Sequence, residues 1–70
     1  MLPLTMAKPG ETVVIRRVTG QDETRQRLAE LGFVADGAVT VVSEVAGSLI
    51  LKVKGSRIAL SKSLACRVQF

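Results

Sequence analysis

The stretch LAELGFVADGAVTVVSE, residues 28–44, decides the fold. A helical pattern stops inside it and a strand pattern begins. Gly32 fits the C′ position, where a left-handed backbone ends a helix. From Ala38 onward Val39 and Val41 fall on one face of a strand over 38–45, because side chains alternate with period two. Between the two patterns lies Phe33, one of only two aromatic residues in the chain. It sits in a connector of small residues and is either a plug for the core or an exposed anchor.

Working back from Gly32, QDETRQRLAEL over 21–31 reads as a short helix. Asp22 is the expected N-cap, since its carboxylate can accept from free N–H groups of the first turn. Glu23 and Arg27 have the spacing of a favourable i,i+4 pair. Thr24, Leu28 and Leu31 form a narrow inward stripe. So short a helix is marginal alone and must dock on something. Before it, TVVIRRV over 12–18 reads as one strand with apolar residues on both faces, following a Pro9-Gly10 turn. The first seven residues form an apolar arm that makes self-association an expectation.

Forward from residue 45, Ala46-Gly47-Ser48 signals a hairpin. LILKVK over 49–54 alternates Leu49, Leu51 and Val53 against Ile50, Lys52 and Lys54. Gly55-Ser56 turns again. RIAL over 57–60 sets Ile58 beside Leu60, SKSLA reads as a single helical turn, and CRVQF over 66–70 puts Cys66, Val68 and Phe70 on one buried face. Five short strands and one short helix predict an all-β fold, a small antiparallel barrel with a short α-helical insertion. Closure removes exposed edges, and an SH3-like barrel fits this length better than an OB-fold.

Seventy residues allow one domain, 1–70, with a thin core. An apolar fraction of 47% compensates. One cysteine, Cys66, cannot form an internal disulfide and suits a reducing compartment. There is no secretory pattern and no apolar run near the ~20 residues of a membrane helix. A soluble, cytoplasmic protein is expected, acting at a membrane only through a partner.

Chemistry is scarce. There is no histidine, which removes the commonest general base and metal ligand. The acids Glu11, Asp22, Glu23, Glu30, Asp36 and Glu44 have no spacing that builds a metal site. Contact with Fe2+ or another divalent ion would rest on these acids, and no ligand set is visible. The glycines form no phosphate loop. No catalytic constellation emerges, and the chain reads as a non-enzyme without a cofactor. The net charge of +4 permits nucleic acid. The basic residues are dispersed, however, and there is no aromatic platform for stacked bases. Lys52, Lys54 and Arg57, across one hairpin end, are the residues such binding would use.

Two stretches carry a family resemblance. LAELGFVADGAVTVVSE resembles a pattern in which a helix ends in LG, followed by a large residue, a Pro-Gly turn and a Val-rich strand. AGSLILKVKGSRIALSKSLACRV, residues 46–68, is similar to its second half: a hairpin glycine, an alternating strand, an IAL run and an Ala before the last strand. Together they resemble the ferrous iron transport protein A (FeoA) family. Here Ala35 and Asp36 stand where the family commonly has Pro and Gly, with Gly37 one place later. The resemblance implies an SH3-like barrel with a helical insertion. It implies an accessory or regulatory protein of ferrous iron uptake, whose partner is a membrane transporter with a cytosolic GTP-binding domain. A similar module ends iron-dependent transcriptional repressors, so a regulatory module of transcription or a nucleic-acid-binding barrel is the alternative. The family offers no catalytic residues. The expected partner-binding residues are Leu31, Gly32, Phe33 and Val34, with Arg25 and Arg57 as charged rim contacts.

Overall fold

A computed structural model describes residues 1–70. The strands are β1 (Thr12–Val14), β2 (Arg17–Val18), β3 (Ala38–Val45), β4 (Ser48–Val53), β5 (Ser56–Ser61) and β6 (Val68–Gln69). Helix α1 (Asp22–Glu30) lies between β2 and β3, and α2 (Lys62–Ala65) between β5 and β6. One antiparallel sheet has the order β1-β3-β4-β5, and β2 pairs with β6 in a second.

The single strand expected over 12–18 is in fact two, one in each sheet. Ile15 is the corner. Its N–H donates to Gly37 and its carbonyl accepts from Asp36. One residue on, the Arg16 N–H donates to Gln69 of the other sheet. This corner joins the sheets into a small barrel, and Ile15 is fully buried inside it. The N-terminal arm is not free either. Leu2 and Phe70 exchange two backbone hydrogen bonds, each 2.8 Å. A 3₁₀ turn at Leu4–Met6 then puts Leu4 in the core, while Met1, Leu2 and Met6 stay exposed.

The β4 alternation is as read: Leu49, Leu51 and Val53 are buried. In β3, Val39 and Val41 are buried, but the register slips between Val41 and Ser43, so Val42 is an extra residue in a β-bulge. The last strand is shorter than expected. Cys66 precedes it as the C-cap of α2, and its thiol donates to the Ser63 carbonyl at 3.0 Å. The cysteine is therefore exposed rather than buried. The start of α2 is capped by Ser61, whose hydroxyl accepts from the Leu64 N–H.

Fourteen apolar residues, from Leu4 to Val68, make one core. Phe33, Leu4, Ile15 and Leu28 are its largest fully buried side chains.

Candidate partner-binding surface

The turn after α1 fixes what faces solvent. Gln21, not Asp22, is the N-cap. Asp22 opens the helix and pairs with Arg25 three residues on, because a first-turn carboxylate already suits the positive helix end. Glu23 and Arg27 form no ion pair. With Thr24 and Leu64 they line a shallow cleft of about 130 Å³ between α1 and α2.

At the other end α1 stops in a Schellman motif. The Gly32 N–H donates to Ala29 at 3.0 Å and the Phe33 N–H to Leu28 at 2.9 Å. Gly32 has φ +107°, and a Cβ there would meet Val53 Cγ2 at 3.2 Å. The motif brings its C″ and C3 residues together, and these are Phe33 and Leu28, both buried. Phe33 is 1% exposed and is a core plug. Leu31, expected in the inward stripe, is instead 39% exposed. The reversal at Gly32 gives the core position to Phe33 and leaves Leu31 outside.

Val34 follows, 36% exposed. Its carbonyl accepts from Gly37, closing a β-turn over residues 34–37. Asp36 has φ +70° and Ala35 has none of the positive φ values, which is the type II pattern. Asp36 therefore takes the strained position, not Gly37. Gly37 is needed for space: a Cβ there would lie 3.1 Å from the Val34 carbonyl oxygen.

This turn stands against the end of the four-stranded sheet. Val14 pairs with Ala38, and Val14 is 48% exposed. Lys54, in the β4–β5 turn, packs its stem beside Gly32. One row further in, Thr12, Thr40, Lys52 and Arg57 are neighbours across four strands. The Thr12 and Thr40 hydroxyls are 2.8 Å apart. Lys52, Lys54 and Arg57 are exposed and make no ion pair. Leu31, Val34 and Val14 are thus exposed apolar residues, with Lys54 next to Gly32 and Lys52 and Arg57 paired one row along the sheet.

Of the residues singled out from sequence, Leu31, Val34 and Arg57 are accessible. Gly32 and Phe33 are buried. Arg25 is six residues before Leu31 on α1, about 9 Å along the axis, and is held by Asp22. Sequence reasoning did not single out Val14, and its pairing with Ala38 is set by a distant strand. The Leu28–Phe33 contact could have been found from the Schellman signature alone. No three His, Cys, Asp or Glu side chains converge on a point that could hold a metal ion.

Comparison with known proteins agrees with this architecture. The FeoA domain model matches residues 2–69. A relative from Methanocaldococcus jannaschii, provisionally named Fe(2+) transport protein A, is 32% identical over 68 residues. That match covers 97% of this chain and 83% of the relative. A crystal structure of an iron uptake regulatory protein (FeoA) superposes with a TM-score of 0.87 at 32% identity, covering 96% of this chain and 91% of that one. Stenotrophomonas maltophilia FeoA, solved with zinc and described as a procaryotic SH3 domain protein, gives 0.86 at 29%, covering 99% and 88%. A manganese-dependent transcriptional repressor shares the fold alone: TM-score 0.83, 19% identity, 94% of this chain and 38% of the repressor. The fold is thus the SH3-like barrel, and the chain belongs to the FeoA family, whose members are linked to ferrous iron transport.

Proposed function

We propose that this protein is a non-catalytic cytoplasmic regulator of ferrous iron uptake. It docks on the cytosolic GTP-binding part of the membrane transporter. The observation that carries the reading is the exposure of Leu31 and Val34 on either side of the buried Phe33, next to Lys52, Lys54 and Arg57. Exposed apolar residues with a charged rim are what a transient protein interface uses. Gly32 and Phe33 act from below, by fixing the turn that presents the two side chains. Family membership supplies the iron-transport context. No helix is long and apolar enough to cross a membrane, which suits action through a membrane partner.

The mechanism is a population shift. A preformed surface that binds one nucleotide state of the transporter better than another moves the equilibrium by that difference in affinity. No resident metal is needed for this. Calorimetric titration of the protein into the transporter's cytosolic domain, with and without guanine nucleotide, tests the proposal. Saturable binding that changes with nucleotide supports it. Absence of binding in every nucleotide state removes it, as does saturable ferrous iron binding by the isolated protein in place of partner binding.

A further inference from the structure

The four-stranded sheet ends at β5, and no strand pairs with that edge. β5 pairs only with β4, and its contiguous register runs from Val53↔Ser56 to Ser48↔Ser61. The turn between them is the two residues Lys54 and Gly55, with φ of 51° and 78°. Such a turn makes Val53 and Ser56 a hydrogen-bonded pair. Bonded and non-bonded pairs then alternate along the ladder. Arg57 and Ala59 consequently turn both N–H and C=O away from β4, and Ser61 turns its N–H away, its carbonyl being taken up by the first turn of α2. No hydrogen bond of the barrel carries the ladder past β5. The same three residues are exposed, whereas Ile58 and Leu60 face inward, half-buried and buried.

Most sheet edges are blunted by bulges, prolines, inward charges or a covering helix. β5 is straight, six residues long and free of proline, and α2 lies at its far end only. The charge beside it is all of one sign over its first half. Arg57 is on the strand, Lys52 is its cross-strand neighbour and Lys54 is in the turn, none of them in an ion pair.

We infer that β5 is a strand-addition site for an extended acidic segment of a protein partner. Main-chain bonds to Arg57, Ala59 and Ser61 supply the pairing. Positions of the added strand beside Arg57 point to the outer, basic face and take Asp or Glu. Alternate positions beside Ile58 and Leu60 turn inward and take small apolar residues. This goes beyond the docking proposed on Leu31 and Val34: it shares the cations Lys52, Lys54 and Arg57 with that surface but needs neither apolar side chain. The two are separable, since one uses side chains at the α1–β3 turn and the other uses backbone groups of β5.

The test is amide hydrogen exchange and chemical-shift mapping of the intact protein with a short synthetic peptide of alternating valine and glutamate. In the free protein the Arg57, Ala59 and Ser61 amides exchange fast while Ile58 and Leu60 are protected. With saturating peptide, exchange at the three edge amides slows by at least about tenfold. A lysine version of the peptide, or one N-methylated on the edge-facing amides, has no such effect. Ala59→Pro removes an N–H that β4 does not use, so the barrel stays folded and peptide binding is lost. Arg57→Glu reverses the preference toward the lysine peptide and serves if the proline variant does not fold. The inference is overturned if the peptide does not bind, if it binds equally well after N-methylation, or if its shifts map to the cleft between α1 and α2. Protection of the edge amides that rises with protein concentration alone also overturns it, since a second copy would then be the occupant. Leu31→Ala with Val34→Ala, which changes no charge, leaves peptide binding unchanged, and this separates the site from the proposed transporter contact.

Discussion

Replacing Phe33 with alanine separates a structural aromatic from an interfacial one. Phe33 is 1% exposed and is among the largest fully buried side chains of a 14-residue core. Truncating a buried Phe to Ala costs about 3–5 kcal/mol, the lost transfer free energy plus the cavity left behind. A domain of 70 residues has about 4–10 kcal/mol in all. Phe33→Ala therefore removes about a third or more of the stability. At a urea slope of about 1 kcal/mol per molar, the midpoint falls by about 3 M or more. The chain has no Trp or Tyr, so far-UV circular dichroism is the appropriate signal. Phe33→Leu keeps most of the volume and costs about 1–2 kcal/mol. It gives a folded protein for binding measurements. A loss below about 1 kcal/mol in Phe33→Ala would refute the core assignment and return Phe33 to the surface.

Three smaller perturbations probe the same corner and the basic face. Gly37→Ala destabilises by about 1–2 kcal/mol despite an ordinary φ, because its Cβ meets the Val34 carbonyl oxygen, and urea unfolding reads this directly. Asp36→Gly has the opposite sign, raising stability by about 0.5–1 kcal/mol by relieving a positive φ. A loss of stability there would mean that the Asp36 side chain supports the turn. Filter binding with single-stranded DNA shows no retention even at low salt, where any phosphate-driven contact is strongest. Retention that falls steeply with salt would instead assign Lys52, Lys54 and Arg57 to nucleic acid.

Local signals made much of the fold legible in the sequence. Leu49, Leu51 and Val53 alternate without interruption and form the central strand. Gly32 stops α1, Ala46-Gly47 makes the first hairpin, and the second turn, expected at Gly55-Ser56, lies one residue earlier at Lys54-Gly55 because Lys54 takes a positive φ. What was not legible depends on distant partners. TVVIRRV reads as one strand because nothing local marks Ile15. It breaks because Ile15 bonds to residues 36 and 37 while Arg16 bonds to Gln69. The same is true of Cys66, whose period-two relation to Val68 holds only if the strand already includes it. It does not, because α2 runs to Ala65. The candidate surface was half legible. The stretch around LGFV was recognised from sequence, but which of its side chains face outward follows from the Schellman reversal. That reversal buries the most conspicuous residue and exposes its two plain neighbours.

The central claim is that these neighbours, not the aromatic, meet the transporter. The most direct measurement is a titration of the transporter's cytosolic domain with the Leu31→Asp/Val34→Asp variant, alongside the native protein and Phe33→Leu. Leu31 and Val34 are 39% and 36% exposed, so the urea midpoint of the double variant is measured first and affinities are compared under conditions where it is folded. The double variant binds at least about tenfold more weakly, and Phe33→Leu binds with near-native affinity. Native affinity in a folded double variant would contradict the claim.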